Sequence, residues 1–326
     1  MPHSKIKNFA LIGAAGYVAP KHMQAIKETN NTLSCAFDIR DSVGIIDSYF
    51  PQADFFVEFE RFDRHISKLQ NSTQPIDYVS ICSPNYLHDS HIRFALKNDA
   101  HAICEKPLVL NPWNAEALIQ LEETTSKRIY NILQLRLHQD ILNLKAYVQS
   151  ELKKNPHHRF KLELTYITSR GKWYFISWKG DESKSGGVIT NIGIHFFDML
   201  QFVFGDLTHQ GVITHFDEKD FACGSLELQH ADVKWFLSIN ADHLPQTAKA
   251  ANKRTYRSIR LEEKEIEFSQ GFENLHTKSY EEILKGNGFG LKEAIKSIQL
   301  ISLIKNSPKR GLNGDYHPFA LKAIRS

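Results

Sequence analysis

Near the start of the chain a continuous apolar run, Phe9-Ala10-Leu11-Ile12, ends at Gly13-Ala14-Ala15-Gly16 and passes into a helix-like stretch reaching Glu28. A run that is apolar at every position is what a parallel strand covered on both faces requires. The pattern recurs at residues 33–38, 76–82, 101–104 and 129–133, with helical stretches at 89–98 and 112–127 between the last three. Strand-helix alternation of this kind predicts a doubly wound parallel sheet, an α/β fold.

After Asp140 the texture changes. One helical stretch runs to residue 153, then alternating strands are expected at 160–168, 222–229, 234–241 and 258–268. Alternation means that one face of each strand is wet, so an open, largely antiparallel sheet is predicted, an α+β arrangement. Connections rich in glycine at Gly171, Gly180 and Gly186-Gly187 flank a helix expected over 193–204, and residues 291–304 are amphipathic. The 326 residues suit two domains, placed at 1–137 and 138–326.

Composition narrows the partners. With 42% apolar and 24% charged residues the chain is an ordinary globular one. Its net charge is 40 − 37 = +3, and the basic residues are scattered, so no nucleic-acid footprint is present. Cys35, Cys82, Cys104 and Cys223 have no CxxC spacing, which predicts reduced thiols and a cytoplasmic protein. The first apolar run is too short for a signal segment or a membrane span, so no membrane association is expected.

Gly13-Ala14-Ala15-Gly16-Tyr17-Val18-Ala19 fills the first strand-to-helix turn. Glycines there let the backbone approach a pyrophosphate, and the helix start supplies oriented N–H groups. The fingerprint is degenerate, with Ala15 for the middle glycine and Ala19 for the third, and a plain structural turn is the competing reading. Asp38, 22 residues past Gly16, stands where a carboxylate meets the adenosine ribose and repels a 2′-phosphate. That favours NAD over NADP, while Arg40 is the opposing signal, and a solvated surface Asp is the bland alternative. Ser83-Pro84-Asn85 with His88, and Glu105-Lys106-Pro107, end the fourth and fifth strands, on the edge where such sheets bind ligands.

Together these segments resemble the glucose-fructose oxidoreductase/inositol 2-dehydrogenase family (Gfo/Idh/MocA). The resemblance extends through Gly186-Gly187 to Asn191-Ile192-Gly193-Ile194-His195 with Asp198. More narrowly, residues 14–20 and 190–198 look like the family's UDP-N-acetylglucosaminuronate 3-dehydrogenase branch, the WlbA/WbpB type. It implies a Rossmann domain, then a sheet domain whose exposed face makes homo-oligomers, with a tetramer favoured. It also implies that Glu105 supports the nicotinamide ribose, that Asn85 and His88 line the cofactor groove, and that Lys106 and His195 meet the substrate hydroxyl. Asn191 stands where the family commonly has Asp.

Oxidising a secondary alcohol by hydride loss needs a base for the hydroxyl proton, and His195 and Lys106 are the candidates. Histidine titrates near neutrality unaided, so His195 is expected as base with Lys106 polarising the oxygen, although the roles can be exchanged. Positions 191, 195 and 198 are expected along one helix face, with Asn191 bonding the sugar. A buried core histidine is the bland alternative, and a metal reading of the trio is disfavoured because Asn is a poor ligand. Arg136, Arg170, Lys172 and Tyr174 are candidate contacts for a diphosphate, carboxylate or sugar face.

The expected activity is NAD-dependent C3 oxidation of UDP-N-acetylglucosaminuronate in bacterial surface polysaccharide synthesis, with NAD recycled by 2-oxoglutarate as relatives do. A free-sugar or polyol dehydrogenase and a non-catalytic NAD-binding regulator of the same fold are the alternatives.

Overall fold

The structure, a computed structural model, describes residues 6–325, apart from the side chains at 209 and 210. Six strands form the first sheet: β1 (Asn8–Ile12), β2 (Thr32–Phe37), β3 (Asp54–Phe56), β4 (Tyr78–Ile81), β5 (His101–Cys104) and β6 (Ile129–Asn131). All neighbours are parallel, in the order β3-β2-β1-β4-β5-β6. This is the doubly wound order expected of strand-helix alternation, with β1 and β4 at the centre.

Residues 9–12 of β1 and all of β4 are buried; that run of β1 is apolar throughout, while β4 carries Ser80, whose hydroxyl is paired with Tyr280. Removing Phe9, Leu11 and Ile12 from water stabilises the unit by roughly 1.5–3 kcal/mol each. The helices α1 (Ala19–Glu28), α2 (Phe59–Gln70), α3 (His88–Lys97) and α4 (Pro112–Glu123) accompany this sheet. Helix α1 buries Ala19, His22, Met23, Ala25 and Ile26, a stripe at helical spacing that joins the cluster around Phe9 and Leu11. Tyr280 and Ile283, from a helix at Leu275–Leu284, belong to the same cluster.

Chain order and compactness therefore differ. One compact unit is Met1–Gln134 with Asn274–Ile295, and the other is Leu135–Glu273 with Lys296–Ser326. The chain first crosses between Gln134 and Leu135 and returns to the first unit at Asn274.

The second unit's sheet is built from β7 (Phe160–Thr168), β8 (Leu207–Asp217), β9 (Phe221–Leu228), β10 (Ala231–Ser238), β11 (Thr255–Leu261) and β12 (Lys264–Glu267). Its order is β12-β11-β7-β10-β9-β8, antiparallel except for the parallel pair β7 and β10. The strand expected over 258–268 is a hairpin, because the chain reverses after Leu261 with Glu262 at φ +54°. Two helices, α5 (Gln139–Lys154) and α6 (Ile194–Phe204), belong to this unit. On the inner sheet face Phe197 of α6 meets Trp235 edge-on at 5.3 Å, and Phe196 lies 4.4 Å from Tyr166.

The opposite face is less open than its alternation suggested. Ile167, Cys223 and Phe236 pack with Phe319, Ala320 and Ala323 of the helix Pro318–Arg325. The same face stays polar at its other end, where Lys234 pairs with Asp315 at 2.6 Å. No single helix among the described residues is long and apolar enough to cross a membrane.

His317 caps that last helix. Its Nδ1 accepts from Phe319 N at 3.2 Å, and Nε2 faces Thr165 Oγ1 at 3.2 Å. Nδ1 is thus unprotonated, and burial, aided by the Lys234 charge, lowers the pKa from 6.5 to about 3. The unfolded chain takes up a proton that the fold refuses, so stability is full above 6.5 and is lost as pH falls toward 3. In that window His317→Gln should flatten the pH dependence of unfolding free energy by about 1.4 kcal/mol per pH unit. Parallel urea-melt profiles for the two proteins would refute this.

Candidate active site

In the first unit the glycine turn has the shape that a dinucleotide needs. Gly13 has φ +89°, and a Cβ there would lie 2.7 Å from Cys82 C and Ser83 N, so only glycine fits. Gly13 N and Ala14 N donate to Phe37 O, and Gly16 N closes the turn onto Gly13 O. Asp38 Oδ2 accepts from Ala15 N and Oδ1 from Arg40 N, both at 2.9 Å, so the carboxylate ties the turn to the end of β2. Tyr17 is 93% exposed, Val18 half-buried and Arg40 exposed.

A close-approach turn, the start of a ten-residue helix and a carboxylate at the second strand end fit NAD. The N–H groups of residues 13–16 are taken up by Phe37, Asp38 and the turn itself, so Tyr17 and Val18, leading into α1, would hold the diphosphate and Asp38 the adenosine ribose. Asp38→Ala should cut the preference for NAD over NADP by about tenfold. An unchanged ratio of kcat/KM for the two cofactors would place ribose recognition elsewhere.

The loops after β4 and β5 are stapled together. His88, fully buried, directs Nδ1 at Pro107 O (2.7 Å) and Nε2 at Ser83 O (2.8 Å), while Ser83 Oγ bonds His91 Nδ1 at 2.8 Å. Both carbonyls only accept, so a neutral ring donates to one at a time. Burial pulls the His88 pKa down, while the carbonyls and Glu105 act the other way. Asn85 is buried beside Pro84, and Lys106, half-buried, begins a cis Lys106–Pro107 bond.

The sequence reading missed the partners of Glu105. Its Oε1 accepts from His22 Nε2 at 3.0 Å and from His276 Nε2 at 2.8 Å. His22 Nδ1 meets Tyr280 OH at 2.7 Å, and that hydroxyl meets Ser80 Oγ at 2.6 Å. Burial alone would raise the Glu105 pKa, but the two histidine hydrogen bonds outweigh it and hold the carboxyl well below its ordinary value. Burial also lowers His22, against the pull of Glu105. The three groups lie within 4.8 Å, as metal ligands do. Neutral imidazoles donating from Nε2 already satisfy the carboxylate, so hydrogen bonding accounts for the cluster. The missed signal was His22 on the buried stripe of α1, three residues from Ala19 and four from Ile26.

In the second unit Arg136 grips Asp198 bidentately, Nε to Oδ2 at 2.9 Å and Nη2 to Oδ1 at 2.7 Å. Asp198 sits on α6 three residues beyond half-buried His195, so the ion pair fixes the turn that carries the imidazole. Asn191, expected on the same helix face, instead closes a separate short helix, Gly187–Asn191. The break falls at Gly193, where a Cβ would come within 2.2 Å of Ile189 O and 2.8 Å of the Phe197 ring. The chain bends by 41° between Glu182–Asn191 and Ile194–Phe204, which interrupts the expected face.

Asn191 Nδ2 donates to buried Tyr174 OH at 2.8 Å, which joins two of the predicted substrate residues. Burial raises the Tyr174 pKa, opposed by that hydrogen bond and by the nearby Arg170 charge. Arg170 and Lys172 are exposed. A cavity of about 260 Å³ beside Tyr174 is also lined by Lys179, Lys219, Glu182, Asp217 and Glu218. Its acids outnumber its bases, which does not suit a diphosphate. In the first unit a larger groove of about 770 Å³, lined by Phe59, His91, Phe94 and Leu121, contains none of the predicted residues.

Two family descriptions match this chain: "Oxidoreductase family, NAD-binding Rossmann fold" over residues 7–132 and the oxidoreductase family's "C-terminal alpha/beta domain" over 158–249. The WlbA (WbpB) dehydrogenase from Thermus thermophilus, solved in complex with NAD and α-ketoglutarate, is 45% identical with a TM-score of 0.91. The similarity covers 96% of this chain and 100% of that one, and the same enzyme with NAD and UDP-GlcNAcA aligns equally well. Glucose-6-phosphate 3-dehydrogenase from Bacillus subtilis (strain 168) is 25% identical over 61% of this chain. D-glucoside 3-dehydrogenase from Escherichia coli (strain K12) is 28% identical over 44%. The matches span 54% and 40% of those two proteins' own lengths. Family matches in both units, with a 45% identical relative aligned from end to end, make this chain a member of the Gfo/Idh/MocA oxidoreductases, whose first unit is an NAD-binding Rossmann fold.

Proposed function

We propose that the chain oxidises the C3 hydroxyl of UDP-N-acetylglucosaminuronate to the 3-keto sugar, with NAD as cofactor. The observation that carries this reading is the 45% identity, over 96% of the chain, to a dehydrogenase solved with NAD and UDP-GlcNAcA. Loss of a secondary alcohol's hydrogens is loss of one hydride and one proton. Bound nicotinamide supplies the hydride acceptor. His195 takes the proton, since an imidazole titrates near neutrality, and Lys106 donates a hydrogen bond to the same oxygen. Arg136 holds the turn of His195 through Asp198, and Asn191 with Tyr174 offers a paired amide and phenol to the sugar. Arg170 and Lys172, both exposed, suit the carboxylate and diphosphate.

The relative's complex with α-ketoglutarate supports a cycle in which 2-oxoglutarate reoxidises cofactor that stays bound. Incubating the purified protein with the UDP-sugar acid tests the whole reading through the absorbance of reduced nicotinamide. A stoichiometric burst, made catalytic by added 2-oxoglutarate, is expected. Turnover of glucose 6-phosphate, a free glucoside or inositol in preference to the UDP-sugar acid would overturn the substrate.

The reading extends to a cytoplasmic homotetramer serving surface polysaccharide synthesis. Four free, buried cysteines suit a reducing compartment. Sedimentation velocity tests the tetramer, and a monomeric boundary would remove it.

A further inference from the structure

We propose that His22, Glu105 and His276 form a positioning unit for Lys106, so that Glu105 acts on the chemistry through its neighbour. The proposal rests on the reading of Lys106 as the group at the substrate oxygen.

Glu105 is held from every side. Its backbone N donates to Ile81 O at 3.0 Å, and its carbonyl accepts from Asn131 Nδ2 at 3.2 Å. Oε1 accepts from both histidines, and Oε2 accepts from Lys106 N at 3.3 Å. A carboxylate has about four acceptor positions. Three are taken, and one of those donors is the backbone of Lys106 itself. On the other side of Lys106, Pro107 O lies 2.7 Å from His88 Nδ1 and shares that ring's proton with Ser83 O. The ammonium-bearing residue therefore leaves a turn whose two flanks are both pinned by buried histidines.

Donor directions run one way through the cluster. With Tyr280 accepting from Ser80 Oγ and donating to His22 Nδ1, His22 Nε2 keeps its proton for Glu105, and neutral rings satisfy every contact. Glu105 is 8% exposed, and swinging it toward a ligand would strip three donors of their acceptor. Such support is what keeps a reacting group within its narrow productive geometry. His276 lies 171 residues beyond Glu105, in the return segment Asn274–Ile295, so the turn bearing Lys106 is completed by distant sequence.

The test compares Glu105→Ala, His276→Ala and His276→Gln in the full chain, following NAD Kd by tryptophan fluorescence, kcat and KM with the UDP-sugar acid, and thermal midpoint. We expect kcat to fall about tenfold or more in both alanine variants, with NAD Kd within about threefold of wild type. His276→Gln, which keeps a side-chain N–H donor, should recover most of kcat. A tenfold loss of NAD affinity in Glu105→Ala with kcat kept at saturating cofactor would make Glu105 a cofactor ligand and overturn the proposal. So would wild-type kcat in His276→Ala. If the alanine variants fail to fold, Glu105→Gln takes their place.

Lys106 is also followed without substrate, in NAD-saturated protein carrying ¹³C-dimethylated lysines, its resonance identified by its loss in Lys106→Arg. A resonance that moves in His276→Ala while wild type ignores every UDP-sugar acid would sink the functional reading and keep the positioning unit. An unmoved resonance would sink the unit itself.

Discussion

Lys106→Ala and His195→Asn should each lower kcat by about 10² or more, with NAD affinity and thermal midpoint close to wild type. On the proposed mechanism the two groups have different tasks, proton acceptance and hydrogen-bond donation, so losing either should leave the alkoxide character of the transition state unsupported. Both side chains are half-buried, and neither belongs to the apolar cores, which is why folding should survive. Asparagine at 195 keeps polar volume without a group that can accept a proton. Steady-state kinetics with saturating NAD, beside a fluorescence titration of the cofactor, reads the two effects separately. Near-normal kcat in either variant removes that residue from the chemistry.

The second large effect concerns stability. Arg136→Ala removes the bidentate partner of a carboxylate whose side chain is 2% exposed, in a pair whose arginine is itself 10% exposed. Stranding a buried charge costs about 3–5 kcal/mol, roughly 6–20 °C in thermal midpoint for a unit of this size. Lysine should rescue little, because an ammonium cannot reproduce the forked geometry. Replacing both partners by apolar residues of similar volume should recover most of the loss. Calorimetry of the four proteins decides it, and a fall below about 1 kcal/mol for Arg136→Ala would mean that the pair behaves as a solvated surface bridge.

The parts of this protein that sequence reveals are those whose causes are local. Strands β1 and β4 announce themselves because a strand covered on both faces is apolar at nearly every position, with Ser80 the polar exception in β4. The Gly13 turn and Asp38 lie 25 residues apart along one strand-helix-strand unit, so their spacing carries the geometry. Strand β8 was invisible because its pairing shifts register twice, between Leu207 and Val212 and between Thr214 and Phe216, which scrambles its alternation. The three residues of β3 are too few to show a period. For the face through Asn191, His195 and Asp198, counting residues assumed one helix, whereas the chain forms two that meet at Ile192-Gly193. The clamp on Glu105 was beyond reach for another reason: nothing near residue 105 in sequence indicates His276.

The return of Asn274–Ile295 to the first unit sets a timetable for biosynthesis. A nascent chain emerging from the ribosome has made all six parallel strands by Asn131, yet must wait for more than 140 further residues before His276 and Tyr280 arrive. At about 5–20 residues per second that is a delay of many seconds. Until then Glu105 lacks the His276 donor and His22 the Tyr280 hydroxyl. Stop codons upstream of residue 274 should therefore yield insoluble product, however complete the leading sheet, and a soluble truncated protein would show that the sheet closes without the return segment.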